Sequence, residues 1–312
     1  SLTSHEAAIN KLKGYQGYFI VPVVRDSNGT SDESIEILHA YKNHCDVMSS
    51  LEEKKERRLY CSRRIFNEGV ELAGYEDVNN PIYGKPFDEF NGEDPSADAG
   101  VARTIPPLFD SSRVTLMPYY AYGPGGVLLI GSEIAAVIAG WHSSLPLGYS
   151  TTWSKVPVIT GMPGVDYFTI PELEMLKDAG WYMLDQAKQG SEVTCYHQYT
   201  TSSGVIEEKE LSLVIGLDAF AIDLRATERP LIANGLANRI SVEKTPALEK
   251  YLTAVQNAAA NIISIYVREK VFAGIKIIGI SKNDSHRDWV DTKFEVSHLY
   301  PVNRINNYIH VV

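Results

Sequence analysis

Two strand-patterned segments with a helix-patterned segment between them constrain this 312-residue sequence more than any other feature. The run "YFIVPVV", Tyr18 to Val24, reads as a buried strand. After the loop "RDSNGTS", the segment "DESIEILHAYKNHCDVM" carries Asp32 and Glu33 in its first turn, where negative charge favours the helix dipole. Ile35, Leu38, Ala40 and Tyr41 then mark an apolar stripe. "RRLYCS" reads as a second strand and "RRIFNEGVELAG" as a helix closing at Gly74. This strand–helix–strand–helix order predicts an α/β structure of layered mixed sheets flanked by helices, with at least some parallel pairing. A short helix from Ser4 to Leu12 precedes it.

The pattern then breaks. From Tyr75 to about Asp110 the chain is rich in Pro, Gly, Asn and Asp and has weak periodicity, as expected of a long surface excursion. "SRVTLMPYY" restores the sheet, and His142 to Val165 is a second loop-rich connection. Pro171 opens and Gly180 closes a helix over Pro171 to Ala179, and "EVTCYHQYTT" reads as a strand. Two long helices follow, "EKELSLVIGLDAFAIDLRATERPLI" and "TPALEKYLTAVQNAAANIISIYVREKVFAG", the latter with Thr245 as N-cap, Pro246 at its first position and Gly274 at its stop. Three strand-like stretches end the chain, "GIKIIGIS", "WVDTKFEVSHLY" and "RINNYIHVV", with Phe294 and Val296 alternating with polar neighbours as in a half-exposed antiparallel pair. No internal repeat is present. The expected division is 1–115 as an N-terminal α/β part with the excursion at 75–110, 116–208 as a middle part completing it, and 209–312 as a C-terminal α+β domain ending in antiparallel strands.

Charge excludes one class of function. Asp and Glu outnumber Lys and Arg 39 to 29, a net charge of −10, whereas a general nucleic-acid binder needs a clustered basic face. The most charged run, "EEKKERR" from Glu52 to Arg58, mixes both signs and reads as a solvated helix face with local ion pairs. Cys45, Cys61 and Cys195 form neither a disulfide framework nor a CxxC pair, in keeping with a reducing compartment. With no secretory signal pattern and no apolar run of membrane-spanning length, the expectation is a soluble protein without membrane contact.

Several stretches invite a catalytic or binding reading. In "GGVLLIGSEIAAVIAG", Gly126 and Gly131 have the spacing of the two glycines of a phosphate loop. Ser132 and Glu133 stand where such a loop needs a lysine and a hydroxyl, and Val127 to Ile130 are bulky and apolar, better suited to a buried strand. A short strand or turn leading into a helix from Ser132 that buries Ile134, Val137 and Ile138 is the preferred reading; an α/β enzyme taking a phosphorylated ligand here is the alternative. His39, His44, Cys45 and Cys61 are the best metal constellation available, but His39 and His44 lie roughly 140° apart around a helix and cannot share an ion without distortion. Asp218 and Asp223 have the same spacing, and Asp223 and Arg225 read as surface charges. His197, between Tyr196 and Tyr199, reads as a packing residue of a strand, since no G-x-S-x-G elbow or activated cysteine accompanies it. "NDSHRDW" is a turn explained by Asn283 and Asp284. The tyrosines and tryptophans are scattered, which favours core and interface use. No catalytic, cofactor or metal residue is assigned.

Taken in order, these segments resemble the tail sheath proteins of contractile phages, especially the type of Mu-like phages. The resemblance rests on "YFIVPVVRDSNGTSDESIEILHAYKNHCDVMSSLEEKKERRLYC", on "RVTLMPYYAYGPGGVLLIGSEIAAVIAGWHSSLPLGYSTTWSKVPVITG", on "TIPELEMLKDAGWYML" and "VTCYHQYTT", and on "VDTKFEVSHLYPVNRINNYIHVV", together spanning Tyr18 to Val312. These are packing patterns, and their order carries the likeness. It implies a non-enzymatic subunit without cofactor, stacked with copies of itself in helical rings around a tail tube. Its further partners would be baseplate and tail terminator proteins, its location the virion tail, and its site of assembly the host cytoplasm. Contraction would drive the tube through the host envelope on interfaces that pack better after shortening. The glycines at 125, 126 and 131 would then be hairpin and helix-entry residues. Another tail or baseplate protein is the nearer alternative.

The resemblance also implies terminal arms that add strands to a neighbouring subunit's sheet. That role falls on the closing stretch Arg304, Ile305, Asn306, Asn307, Tyr308, Ile309, His310, Val311 and Val312, with an ordinary edge strand of its own domain as the equal alternative. The helical opening "SLTSHEAAINKLKG" departs from the extended apolar arm usual in the family.

Overall fold

Parallel pairing is present where the strand–helix–strand order calls for it. In a computed structural model that describes residues 2–23, 35–50, 52–62, 106–117, 121–129, 131–162, 170–187, 190–233, 246–282 and 290–300, β1 (Phe19–Ile20), β2 (Arg58–Ser62) and β3 (Val114–Met117) form a three-stranded parallel sheet in that order. Every residue of β2 is buried, as expected of a central strand covered on both faces by helices. Both α2 (Ile35–Met48) and α4 (Ser132–Ser144) pack on it.

The helix faces follow from their periodicity. On α2, Ile37, Leu38, Tyr41, His44, Cys45 and Met48 are buried at helical spacing, so the buried stripe runs from Ile37 while Ile35 is only half-buried. On α4, Ile134, Ala135, Ile138, Ala139 and Trp141 are buried, with Val137 at the half-buried margin. Each large aliphatic removed from water there contributes about 1.5–3 kcal/mol. α1 (Leu2–Leu12) lies on α2 and buries Ile9.

β1 is shorter than the run Tyr18 to Val24 predicts. Pro22 has no N–H to give to a ladder, pairing ends at Ile20, and Val23 is 61% exposed. The excursion also ends earlier than expected. Residues 106–109 form a single helical turn, α3, whose Phe109 is fully buried. The helix proposed for Arg63 to Gly74, the rest of the excursion and the turn at Asn283 and Asp284 lie outside the described residues.

The run "EEKKERR" is corrected by the structure. Glu52 and Glu53 form a turn, Lys54 and Lys55 are exposed, and Glu56, Arg57 and Arg58 are buried, Arg58 being the first residue of β2. Arg57 spends its guanidinium on the end of α1, on the chain just after it and on His44, and Arg58 donates to Ser112 O at 2.6 Å. Neighbouring backbone carbonyls, out of reach of a pattern-based reading, make burial of these charges possible.

The remaining strands pair antiparallel. β4 (Ala121–Tyr122) pairs with β5 (Leu128–Leu129), and β6 (Tyr182–Asp185) with β7 (Thr194–Gln198) across a bulge between Met183 and Leu184. α5 (Ile170–Ala179) precedes β6 and ends where Gly180 predicts: Gly180, at φ 100°, donates to Lys177 O, and Trp181 donates to Leu176 O. These are the two bonds of a Schellman cap, with Trp181 and Leu176 as its buried apolar pair.

The long helix expected over Glu208 to Ile232 is broken near its start. α6 (Ile206–Lys209) stops at Glu210, whose extended backbone bridges to Tyr199 beside β7, and α7 (Leu211–Ala233) begins after it. α8 (Pro246–Arg268) begins at Pro246 as predicted and stops well before Gly274. Its cap uses Lys270 at φ 58°, with Lys270 donating to Val267 O and Val271 to Tyr266 O. This Schellman motif has lysine in the left-handed position usually given to glycine, and Gly274 lies inside β8 (Phe272–Lys282).

Two compact units result. The first holds the described residues up to 145 and 150–211; the second holds 146–149 and the described residues from 212 onward. In the second, β8 and β9 (Val290–His298) form a long antiparallel hairpin, packed on an aromatic cluster from α7 and α8. Phe220 meets Tyr266, Phe272 and Phe294 edge to face at 5.4, 6.1 and 5.5 Å.

Candidate functional site

The stretch with phosphate-loop spacing is a hairpin and a helix entry. Pro124–Gly126 form a one-turn 3-10 helix between β4 and β5, with Gly125 and Gly126 at φ 73° and 76°, a region costly for other residues. Gly123 donates to Val127 O at 2.7 Å, closing the turn. Gly131, at φ 42°, turns the chain into α4 and supplies its carbonyl to Ala135 N–H. The expectation that Val127 belongs to a buried strand is not met, because Val127 is 61% exposed at the hairpin tip.

Beneath this hairpin's helix lies a buried polar network that the sequence did not announce. Tyr60 OH meets His142 Nδ1 at 2.9 Å, and His142 Nε2 meets Tyr182 OH at 3.2 Å. Thr151 Oγ1 lies 3.4 Å from both His142 Nε2 and Tyr182 OH and donates to Gln198 Oε1 at 2.8 Å. Gln198 Oε1 also accepts from Thr151 N–H, and Gln198 Nε2 donates to Ser150 Oγ at 2.8 Å and Glu210 Oε1 at 2.6 Å. All four hydrogen-bonding positions of Gln198 are thereby used.

The electrostatics of this network suit holding β2, α4, β6 and β7 together better than chemistry. Burial first, then Arg58, pushes the His142 imidazole down to about 3, leaving it neutral and a poor base. Burial pushes the Cys195 thiol up to about 12, opposite to the activation a nucleophile needs. His197 is likewise held down to about 4, chiefly by burial, and packs between Tyr196 and Tyr199 at 5.0 and 5.2 Å.

The four residues set aside as a metal constellation are each engaged elsewhere. His39 stacks on Phe109 at 4.8 Å, His44 contacts Arg57 at 2.6 Å, burial pushes Cys45 up to about 12, and Cys61 Sγ faces Thr115 O at 3.9 Å. Among the described residues no group of three or more His, Cys, Asp or Glu side chains could hold a metal ion. Asp218 is buried in α7, and Asp223 accepts from Tyr266 OH, a role beyond that of a surface charge.

The surface best suited to recognition is the β8–β9 hairpin. Ile275 pairs with Val296 and Ile277 with Phe294, all four packed toward the aromatic cluster, while Lys276 and Glu295 pair on the outward face. The bulge at Ile278 leaves that side chain 61% exposed. Among the described residues β8 and β9 pair only with each other, so each has one edge whose backbone groups no described strand satisfies. The closing stretch Arg304 to Val312 lies outside the described residues.

Sequence comparison finds no matching family model and no matching curated protein. A sheath tail protein from Desulfitobacterium hafniense matches with TM-score 0.57 at 9% identity, covering 87% of this chain and 50% of that one. A sheath tail protein from Listeria innocua matches with TM-score 0.54 at 12% identity, covering 84% and 50%. The PVC sheath complex of an extracellular contractile injection system, in its contracted state, matches with TM-score 0.55 at 11% identity, covering 99% and 74%. The chain spans about half the length of the two sheath tail proteins. Its mixed helices and sheets, with antiparallel strands in the second unit, are the fold of contractile sheath proteins.

Proposed function

We propose that this chain is a structural subunit of a contractile tail sheath, of the type found in Mu-like phages, polymerising with copies of itself in helical rings around a tail tube. The carrying observation is the likeness of fold to sheath proteins over 84% to 99% of the chain. The β8–β9 hairpin, which pairs with no further strand among the described residues, supports the same reading, because an unpaired strand edge is a template for another chain. The subunit acts without catalysis, in keeping with a neutral His142 and a protonated Cys195 in its interior. Contraction would then draw on differences in interface packing between two arrangements, summed over many copies, and would drive the tube through the host envelope.

In this reading residues 1–115 and 116–208 form the body, and 209–312 form the polymerising part. Arg304 to Val312 supply the strand that joins a neighbour's sheet. The tube, baseplate and terminator proteins are the remaining partners, the tail of the particle is the location, and assembly takes place in the host cytoplasm. Deleting Arg304 to Val312 tests the linking strand. A folded monomer that no longer polymerises is expected; loss of folded monomer would instead make this stretch an edge strand of its own domain.

A further inference from the structure

α1 is held to the first unit by little apolar surface and several polar ties. Ile9 is its one buried residue. Near its start His5 Nδ1 meets Tyr41 OH at 3.1 Å, with the rings edge to face at 5.8 Å. At its far end Arg57 Nη2 donates to Leu12 O at 2.8 Å and to Tyr15 O, and Lys55 Nζ donates to Lys13 O at 3.3 Å. The C-terminal carbonyls of a helix are its negative end, a natural seat for a guanidinium.

Arg57 is the pin of this arrangement. It is 2% exposed, and its backbone is fixed on both sides of the residue, with Arg57 N–H donating to Ser49 Oγ at 2.9 Å and Ser49 Oγ donating to Arg57 O at 3.3 Å. Its other terminal nitrogen, Nη1, lies 2.6 Å from His44 Nε2 on α2. Arginine is always protonated and offers only donors, so His44 Nε2 accepts and the ring is neutral with its proton on Nδ1.

We propose that His44 and Arg57 form an acid-releasable latch for α1. A proton added at His44 Nε2 turns the acceptor into a donor facing a guanidinium, breaks the contact and frees α1 from α2 while the parallel sheet stays folded. Among the described residues the charges acting on His44 are cationic, Arg57 from the chain entering β2 and Lys13 just beyond α1. Of the other charged groups on the packed elements, Lys42 pairs with Asp46 on α2 at 3.0 Å, Glu6 and Lys11 on α1 are exposed, and Arg58 donates to Ser112 O. Glu56 is buried beside Arg57 in the chain. His5 is not the trigger, because a protonated His5 can still donate to the Tyr41 hydroxyl.

The pH window follows. Burial first, then Arg57 and Lys13, hold the docked His44 ring down to about 4; release of α1 removes Lys13 and part of the burial, so the freed ring titrates higher, with its ordinary 6.5 as the upper limit. The released form therefore binds a proton that the docked form refuses, and docking weakens as pH falls below about 6.5, by at most about 150-fold in its equilibrium constant at pH 4. Release uncovers Tyr41 and His44 on α2.

The latch does not rest on the assembly reading and is tested on the full chain as monomer. Amide exchange of residues 2–12 is followed from pH 7.5 to 4, corrected for intrinsic exchange, with β2 and α4 amides as internal reference. In the wild type, opening of α1 is expected to rise by up to two orders of magnitude, while the reference amides, which exchange through global unfolding, remain better protected than α1 at every pH. His44→Gln keeps a neutral acceptor for Arg57 and removes the titration, so its α1 protection is expected to change less than about threefold. A flat wild-type profile, the same pH dependence in His44→Gln, or loss of α1 and reference protection together would overturn the proposal. If His44→Gln fails to fold, NMR titration of the wild-type ring decides: a pKa near 4 coincident with α1 release supports the latch, and one near 6.5 overturns it.

Discussion

The hydroxyl of Tyr266 on α8 donates to Asp223 Oδ2 on α7 at 2.8 Å, at the rim of the cluster where Phe220 and Phe294 meet edge to face. This bond joins the two long helices at the point where the hairpin packs on them. Replacing Tyr266 by Phe keeps the ring stack with Phe272 and loses the bond, an expected cost of about 1 kcal/mol. Phe220→Ala removes three ring contacts at once and is expected to cost about 3–5 kcal/mol. Urea unfolding of the two variants measures both, and equal costs would deny Phe220 its central place.

Two helix caps of the same geometry make opposite predictions. Lys270 occupies a left-handed position at φ 58° that glycine adopts freely, so Lys270→Gly is expected to stabilise by about 0.5–1 kcal/mol. Gly180 sits at φ 100°, where an added Cβ would stand 3.2 Å from Thr200 O and Thr201 Cα. Gly180→Ala is expected to destabilise by roughly 1–3 kcal/mol. Thermal melts of the pair check the signs, and a stabilising Gly180→Ala would contradict the cap.

These caps also mark how far the sequence could be read. Gly180 announces its helix end because glycine is the usual occupant of that position, whereas Lys270 gives no such signal and the pattern points instead to Gly274, a strand residue. The parallel order of the opening strands was legible because periodicity reports which face is buried. The fate of "EEKKERR" was not, because burial of Arg57 and Arg58 depends on carbonyls supplied by residues 12, 15 and 112. The network around His142 and Gln198 was invisible for the same reason: its members come from six separate segments and share no spacing. The antiparallel character of Phe294 and Val296 was legible, and the open edges beside them were not.

Buried histidines make stability depend on pH in one direction. The folded His142 ring stays neutral down to about 3, while the unfolded ring titrates near 6.5, so the unfolded state gains protons first as pH falls. Stability is therefore full above about 6.5 and declines toward about 3. This one group is expected to remove about 2 kcal/mol between pH 7 and pH 5. His44 and His197, each held down to about 4, add losses of the same sign. Urea unfolding at the two pH values measures the sum, and His142→Gln should flatten the slope by the equivalent of one proton. An unchanged slope in that variant would mean that His142 is not buried as a neutral base.

Electron microscopy of the purified full chain at high concentration decides whether this chain is built to assemble with copies of itself. Tubular polymers of uniform width are the predicted result. Particles that stay dispersed as single folded molecules at every concentration would contradict the account.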